Sequence, residues 1–175
     1  MIISLSEILN QKNEVRTMTV PIELENFKRD GAVYEFADKG SVSLKLENLG
    51  DKKVKIELKA KVSLRIPCDR CLKEVIVPIS VEFLKEMDFK KTEEQRIKDL
   101  DDTSYFIGYD LDVDELIYEE LLIGFPMKVL CKKDCKGICN ICGTDLNQGE
   151  CGCNRTELDP RMSVIRDIFK EFKEV

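Results

Sequence analysis

Eight cysteines carry the most legible chemistry in this sequence, and six of them lie between positions 131 and 153: Cys131, Cys135, Cys139, Cys142, Cys151 and Cys153. The other two, Cys68 and Cys71, form a separate Cys-x2-Cys far upstream. Thiolates two residues apart can take two corners of a tetrahedron around one ion while the backbone turns beneath it, so eight ligands fit two four-thiolate sites. Spacing favours a local site from Cys139, Cys142, Cys151 and Cys153, and a second from Cys68, Cys71, Cys131 and Cys135. The latter spans about sixty residues and has to be prepared by the fold. Gly143 and Gly152, beside ligands, are expected to supply the positive φ such turns need. The chemistry favours zinc, two structural Zn ions in all, over an iron–sulphur cluster or thiol redox chemistry. Buried, inert cysteine is a poor reading, because the flanking sequence is rich in lysine and glycine.

The elements that must hold these thiols are mostly strands. Val54, Ile56, Leu58, Ala60, Val62, Leu64 and Ile66 alternate with mostly basic residues. After the Cys68–Cys71 corner, Val75, Val77, Ile79, Val81 and Phe83 resume the same period. The pattern predicts a long hairpin with the Cys-x2-Cys at its tip. Lys53, Lys55, Lys59, Lys61 and Arg65 on the polar face, with Arg70 at the tip, are candidate RNA or partner contacts; a solvated strand face that discourages edge pairing is the plainer alternative.

Upstream, Ser4 to Glu7 has capping-box spacing and predicts an opening helix of two or three turns. Met18, Val20, Ile22 and Leu24 predict a strand, with Pro21 suggesting an edge. Ala32 to Phe36 and Val42, Leu44 and Leu46 predict two more strands, separated by a turn at Asp38 to Gly40. Residues 85–102 read as a strand end running into a loop or weak helix, and Tyr105 to Tyr109 as a short strand. Asp112 as cap, Glu115 at the third helical position and Leu111 as staple predict a helix ending at Gly124 and Pro126. Its carboxylates, Asp112, Asp114, Glu119 and Glu120, read as capping or solvated groups rather than a catalytic pair. Asp159 and Pro160 open a last helix whose Met162, Ile165, Ile168, Phe169 and Phe172 form one apolar stripe. The expected fold is α+β: a β-rich antiparallel sheet with a long hairpin, two main helices and a cysteine-rich zinc knuckle. Residues 1–130 would form the α+β domain and 131–175 the metal-binding segment with its C-terminal helix.

Composition narrows the function. The chain has no histidine and no tryptophan, which removes histidine-based triads, histidine-ligated catalytic zinc and indole stacking. Its formal charge of -6 gives no general attraction to nucleic acid, so any RNA contact has to use a local basic patch. No stretch reads as a membrane span or a signal peptide, and reduced thiols suit the cytoplasm.

The ordered set Cys68-Asp-Arg-Cys71, Glu119-Glu-Leu-Leu122, Pro126, Cys135-Lys-Gly-Ile-Cys139-Asn-Ile-Cys142-Gly143, Asp145-Leu-Asn147, Cys151-Gly-Cys153 and Asp159-Pro-Arg161 resembles the YceD family of bacterial large-ribosomal-RNA accumulation proteins. The resemblance implies a non-enzymatic cytoplasmic factor needed for normal levels of large-subunit ribosomal RNA; the leading expectation is that it binds ribosomal RNA, a large-subunit ribosomal protein or both, with no small-molecule substrate. Some relatives lack the Cys139–Cys153 group, which implies that the second site reinforces the structure. Two competitors come from other classes: a thiol redox protein using Cys68 and Cys71, and a zinc-ribbon regulatory adaptor. The first lacks a helix start after Cys68 that would activate its thiolate.

Overall fold

The unbroken alternation of residues 53–67 becomes one of two 15-residue strands, the longest among the described residues, and the strands of the larger sheet assemble around it. In this computed structural model the elements are β1 (Ile2–Ser4), α1 (Ser6–Asn10), β2 (Val15–Val20), β3 (Asn26–Arg29), β4 (Ala32–Lys39), β5 (Val42–Gly50), β6 (Lys53–Pro67), β7 (Glu74–Asp88), α2 (Glu93–Lys98), β8 (Phe106–Ile107), β9 (Asp110–Asp112) and α3 (Val113–Gly124). The structure describes residues 1–11, 13–98 and 104–153. The C-terminal helix expected from Asp159 onward lies outside the described residues. Among the described residues no helix is long and apolar enough to cross a membrane.

All strand pairs are antiparallel. β6 pairs with β7 over its whole length, from Lys53 opposite Asp88 to Pro67 opposite Glu74. Its other edge is shared end to end: β5 takes Lys53 to Lys59 and β4 takes Val62 to Leu64. β2 extends the sheet beyond β5, and β3 extends it beyond β4. A separate three-stranded sheet has the order β1-β9-β8.

Period-2 geometry sends Val54, Ile56, Leu58, Ala60, Val62, Leu64 and Ile66 into the core, where all are buried. α3 lays Leu116, Ile117 and Leu121 against that face, and α1 adds Leu5 and Ile8 from its entry. Each such leucine or isoleucine contributes about 1.5–3 kcal/mol. Phe27 of β3 sits 5.5 Å from Tyr118 of α3 and 5.6 Å from Phe125, centroid to centroid, so an aromatic cluster closes one end of the core.

Several elements depart from the sequence reading. Residues 2–4 pair with β9, so α1 begins only at Ser6, is five residues long, and its cap, Leu5, makes no side-chain hydrogen bond. Tertiary pairing has overridden the capping box there. β2 is an edge strand, but it stops at Val20, before Pro21. β4 and β5 do not pair with each other; both pair with β6. Gly40 between them is required by close approach: a Cβ there would stand 2.4 Å from the Lys61 carbonyl oxygen. β3 was not anticipated, although Asp30 and Gly31, with φ of 50° and 80°, make the Asp-Gly turn that joins it to β4. β9, also unanticipated, occupies the stretch read as the approach to the helix.

α3 begins as expected. Asp112 accepts hydrogen bonds from the backbone N–H of Asp114 at 3.1 Å and Glu115 at 3.4 Å. Asp114, however, is buried instead of solvated. Its carboxylate accepts from the N–H of Glu23 (2.9 Å) and Leu24 (3.3 Å) and pairs with the Met1 amino group, so it ties α3 to the segment after β2.

Candidate metal centres

The β6–β7 pair carries the first cysteine corner beyond the end of the sheet. Within it, Cys68 N–H donates to the Lys73 carbonyl at 2.8 Å and Leu72 N–H to the Cys68 carbonyl at 2.9 Å. The segment after α3 docks on this corner through two reciprocal bonds: Asp69 N–H donates to the Val129 carbonyl (2.9 Å), and Val129 N–H to the Asp69 carboxylate (2.6 Å). That register delivers Cys131 and Cys135 to Cys68 and Cys71.

The eight sulfurs form two groups, Cys68, Cys71, Cys131 and Cys135 in one and Cys139, Cys142, Cys151 and Cys153 in the other, with all ligand atoms of a group within 4.8 Å of one another. Cys68 Sγ lies 3.8 Å from Cys135 Sγ, and Cys71 Sγ lies 3.5 Å from Cys131 Sγ. A tetrahedron with metal–sulfur bonds near 2.3 Å has sulfur–sulfur edges of about 3.8 Å, so the spacing fits one ion. The first group is buried apart from Cys131, whereas Cys142 of the second is exposed and Cys151 and Cys153 are half-buried.

The loop between the groups is fixed by the first. Arg70 donates from Nη1 to the Cys135 carbonyl at 2.7 Å, and its own carbonyl accepts from Ile138 N–H at 3.1 Å. Gly137, φ 81°, passes so close that a Cβ would be 3.0 Å from the Arg70 oxygen. Asn147 donates to Cys135 Sγ at 3.4 Å and accepts from Lys136 N–H at 2.9 Å. In the second group, Gly143 has φ of 75° and its N–H reaches the Cys139 carbonyl at 2.9 Å. Gly152 does not have positive φ, so its expected role is not realised.

The thiols suit a cation. Burial opposes ionisation of Cys68, but the backbone N–H groups of Arg70, Cys71 and Cys131 outweigh it and lower its pKa to about 6. Cys131 is pushed up to about 12 by its hydrogen bond with Cys71, by burial and by the neighbouring thiols. The pattern repeats in the other group: the Thr144 hydroxyl and N–H lower Cys142 to about 6, and Cys153 is pushed up to about 12, chiefly by Cys142. Ionising one sulfur thus opposes ionising its neighbour, and a divalent ion among the four would remove that opposition.

The basic residues of β6 meet acids on their own strand and on neighbouring ones. Lys53 is 3.7 Å from Asp88, Lys59 is 3.1 Å from Glu57, and Arg65 is 2.7 Å from Glu74. Lys55 stands opposite Glu86, Lys59 opposite Glu82, and Lys61 opposite Ser80. Lys45 and Glu47 add one charge of each sign from β5. Across β5, β6 and β7 this face is electrically balanced, a feature invisible when β6 is read alone. Arg70 stands apart from it at the first cysteine corner.

The family described as large ribosomal RNA subunit accumulation protein YceD matches residues 56–169, a span that contains all eight cysteines. Curated relatives in Mycobacterium bovis and Mycobacterium tuberculosis, each named only as an uncharacterized protein, are 24% identical over 102 residues, covering 58% of this chain and 49% of theirs. The chain thus spans about half the length of these relatives. No solved structure matches it. With most of its length, including both cysteine groups, inside the match, this chain belongs to the YceD family.

Proposed function

We propose that this chain acts as a non-enzymatic, cytoplasmic factor that supports accumulation of large-subunit ribosomal RNA by binding that RNA, with one structural zinc in each four-thiolate group. The observation that carries the reading is the convergence of Cys68, Cys71, Cys131 and Cys135, drawn from segments far apart in sequence, to within 4.8 Å. Four thiolates complete a tetrahedron and leave no position for substrate or activated water, so zinc here would order the corner rather than react. A structural site of this kind contributes on the order of 10 kcal/mol to folding, enough to fix segments with little core of their own. Arg70 belongs to this corner, while Lys53, Lys55, Lys59, Lys61 and Arg65 lie along the balanced face.

The reading is tested in cells that lack the chain and are complemented with variants, by measuring the ratio of large- to small-subunit ribosomal RNA. The wild-type chain should restore the ratio, the double change Cys68→Ser/Cys71→Ser should not, and Cys151→Ser/Cys153→Ser should restore it in part. Full restoration by the Cys68/Cys71 variant would remove the pinned corner from the function.

A further inference from the structure

The two cysteine groups differ sharply in what surrounds them. Beside the first, residues 68–73 and 128–137 carry Arg70, Lys73, Lys128, Lys132, Lys133 and Lys136, all exposed, against two acids, Asp69 and Asp134. Around the second, residues 138–153 contain no lysine or arginine and two acids, Asp145 and Glu150. Four thiolates around a divalent ion leave the same two negative charges at either site. If the cations served only to neutralise a metal–thiolate centre, both groups would need them. The rim also keeps its excess: six cations outnumber Asp69, Asp134, the two charges of the loaded site and Asp145, whose carboxylate lies near enough to Lys73 to be favoured by it.

The rim is held in place as well as charged. Arg70 bonds the Cys135 carbonyl, the Lys136 N–H is held by Asn147, and Gly137 packs against the Arg70 carbonyl. A short loop whose backbone is held this way presents its exposed cations together to a polyanion, so little backbone ordering remains to be done on binding.

We infer that the lysine rim of the first cysteine group, centred on Lys132, Lys133 and Lys136, is the phosphate-contacting surface for RNA, in place of the balanced face of β6. The inference rests on the RNA-binding reading above and locates its surface. Each phosphate contact releases condensed counterions, so the rim sets both the affinity and its salt dependence.

The test uses the full, metal-loaded chain and an in vitro transcript of large-subunit ribosomal RNA across a salt series, with metal content measured for every variant. Lys132→Gln/Lys133→Gln/Lys136→Gln should weaken binding about tenfold or more and flatten the log–log salt slope by about 2, at roughly 0.7 per single-strand contact. The corresponding triple change to arginine should retain wild-type affinity. Lys55→Gln/Lys59→Gln/Lys61→Gln should change affinity less than about threefold. Unchanged affinity and slope in the rim glutamine variant, or a larger loss in the β6 variant, would overturn the inference while leaving RNA binding intact. Equal loss in the glutamine and arginine variants, or loss of RNA only where metal is lost, would also overturn it by assigning the lysines to loop structure. A wild-type chain that fails to bind the transcript at low salt would sink the RNA-binding reading as well.

Discussion

Gly137 and Gly152 show how differently two glycines beside metal ligands can be constrained. Gly137 has φ of 81° and a Cβ there would crowd the Arg70 carbonyl at 3.0 Å, whereas Gly152 has neither constraint. Gly137→Ala should therefore destabilise the protein by about 1–3 kcal/mol, through left-handed strain and displacement of the corner. Gly152→Ala should fall within about 0.5 kcal/mol of wild type. Thermal unfolding of the metal-loaded variants measures both, and equal effects would contradict the constraint assigned to residue 137. Nothing local in the sequence separates the two, because the atom that crowds Gly137 belongs to a residue far upstream. Asp114 escaped the sequence reading for the same reason: it looks like an acid favouring a helix start, and its Glu23 and Leu24 partners come from across the core.

The strands were legible where a long run keeps one face buried and the other wet; β3, four residues with Phe27 alone buried, was too short to show the pattern. β6 is the clearest case, since its seven apolar side chains are all buried and the alternation never slips. Which strands pair was less legible. Chain proximity suggested a turn joining β4 to β5, but β6 is long enough for both to line up along one edge. The cysteine partition was readable from spacing because both segments lie next to recognisable elements: the turn after β6 and the end of α3. The balance of charge on the outer face was not, because it depends on register across β5, β6 and β7.

These elements predict unequal behaviour of the two metal groups. The first joins the β6–β7 corner to the segment after α3 and is mostly buried, while the second is local and exposed at Cys142. Cys68→Ser should lower the main unfolding transition, and Cys151→Ser should mainly increase hydrogen exchange in residues around the second group. A chelator should empty the second group before the first. Thiolates must be deprotonated to bind, so falling pH should favour release from both. Identical, fully cooperative losses for the two serine variants would contradict this division.

At the scale of the whole molecule, the polyanionic partner we propose for a chain of net charge -6 requires that cations be gathered locally. Beside the balanced sheet face and the lysine-free second group, the first cysteine corner is a basic patch of the described residues. That corner is built from candidate ligands about sixty residues apart in the chain, so the proposed RNA surface would depend on the metal. Native mass spectrometry with elemental analysis tests this most directly. The wild-type chain should hold two zinc ions, and Cys68→Ser/Cys71→Ser and Cys139→Ser/Cys142→Ser should hold one each. A wild-type chain holding a single ion, iron with inorganic sulfide, or a variant of either group that loses all metal would contradict it.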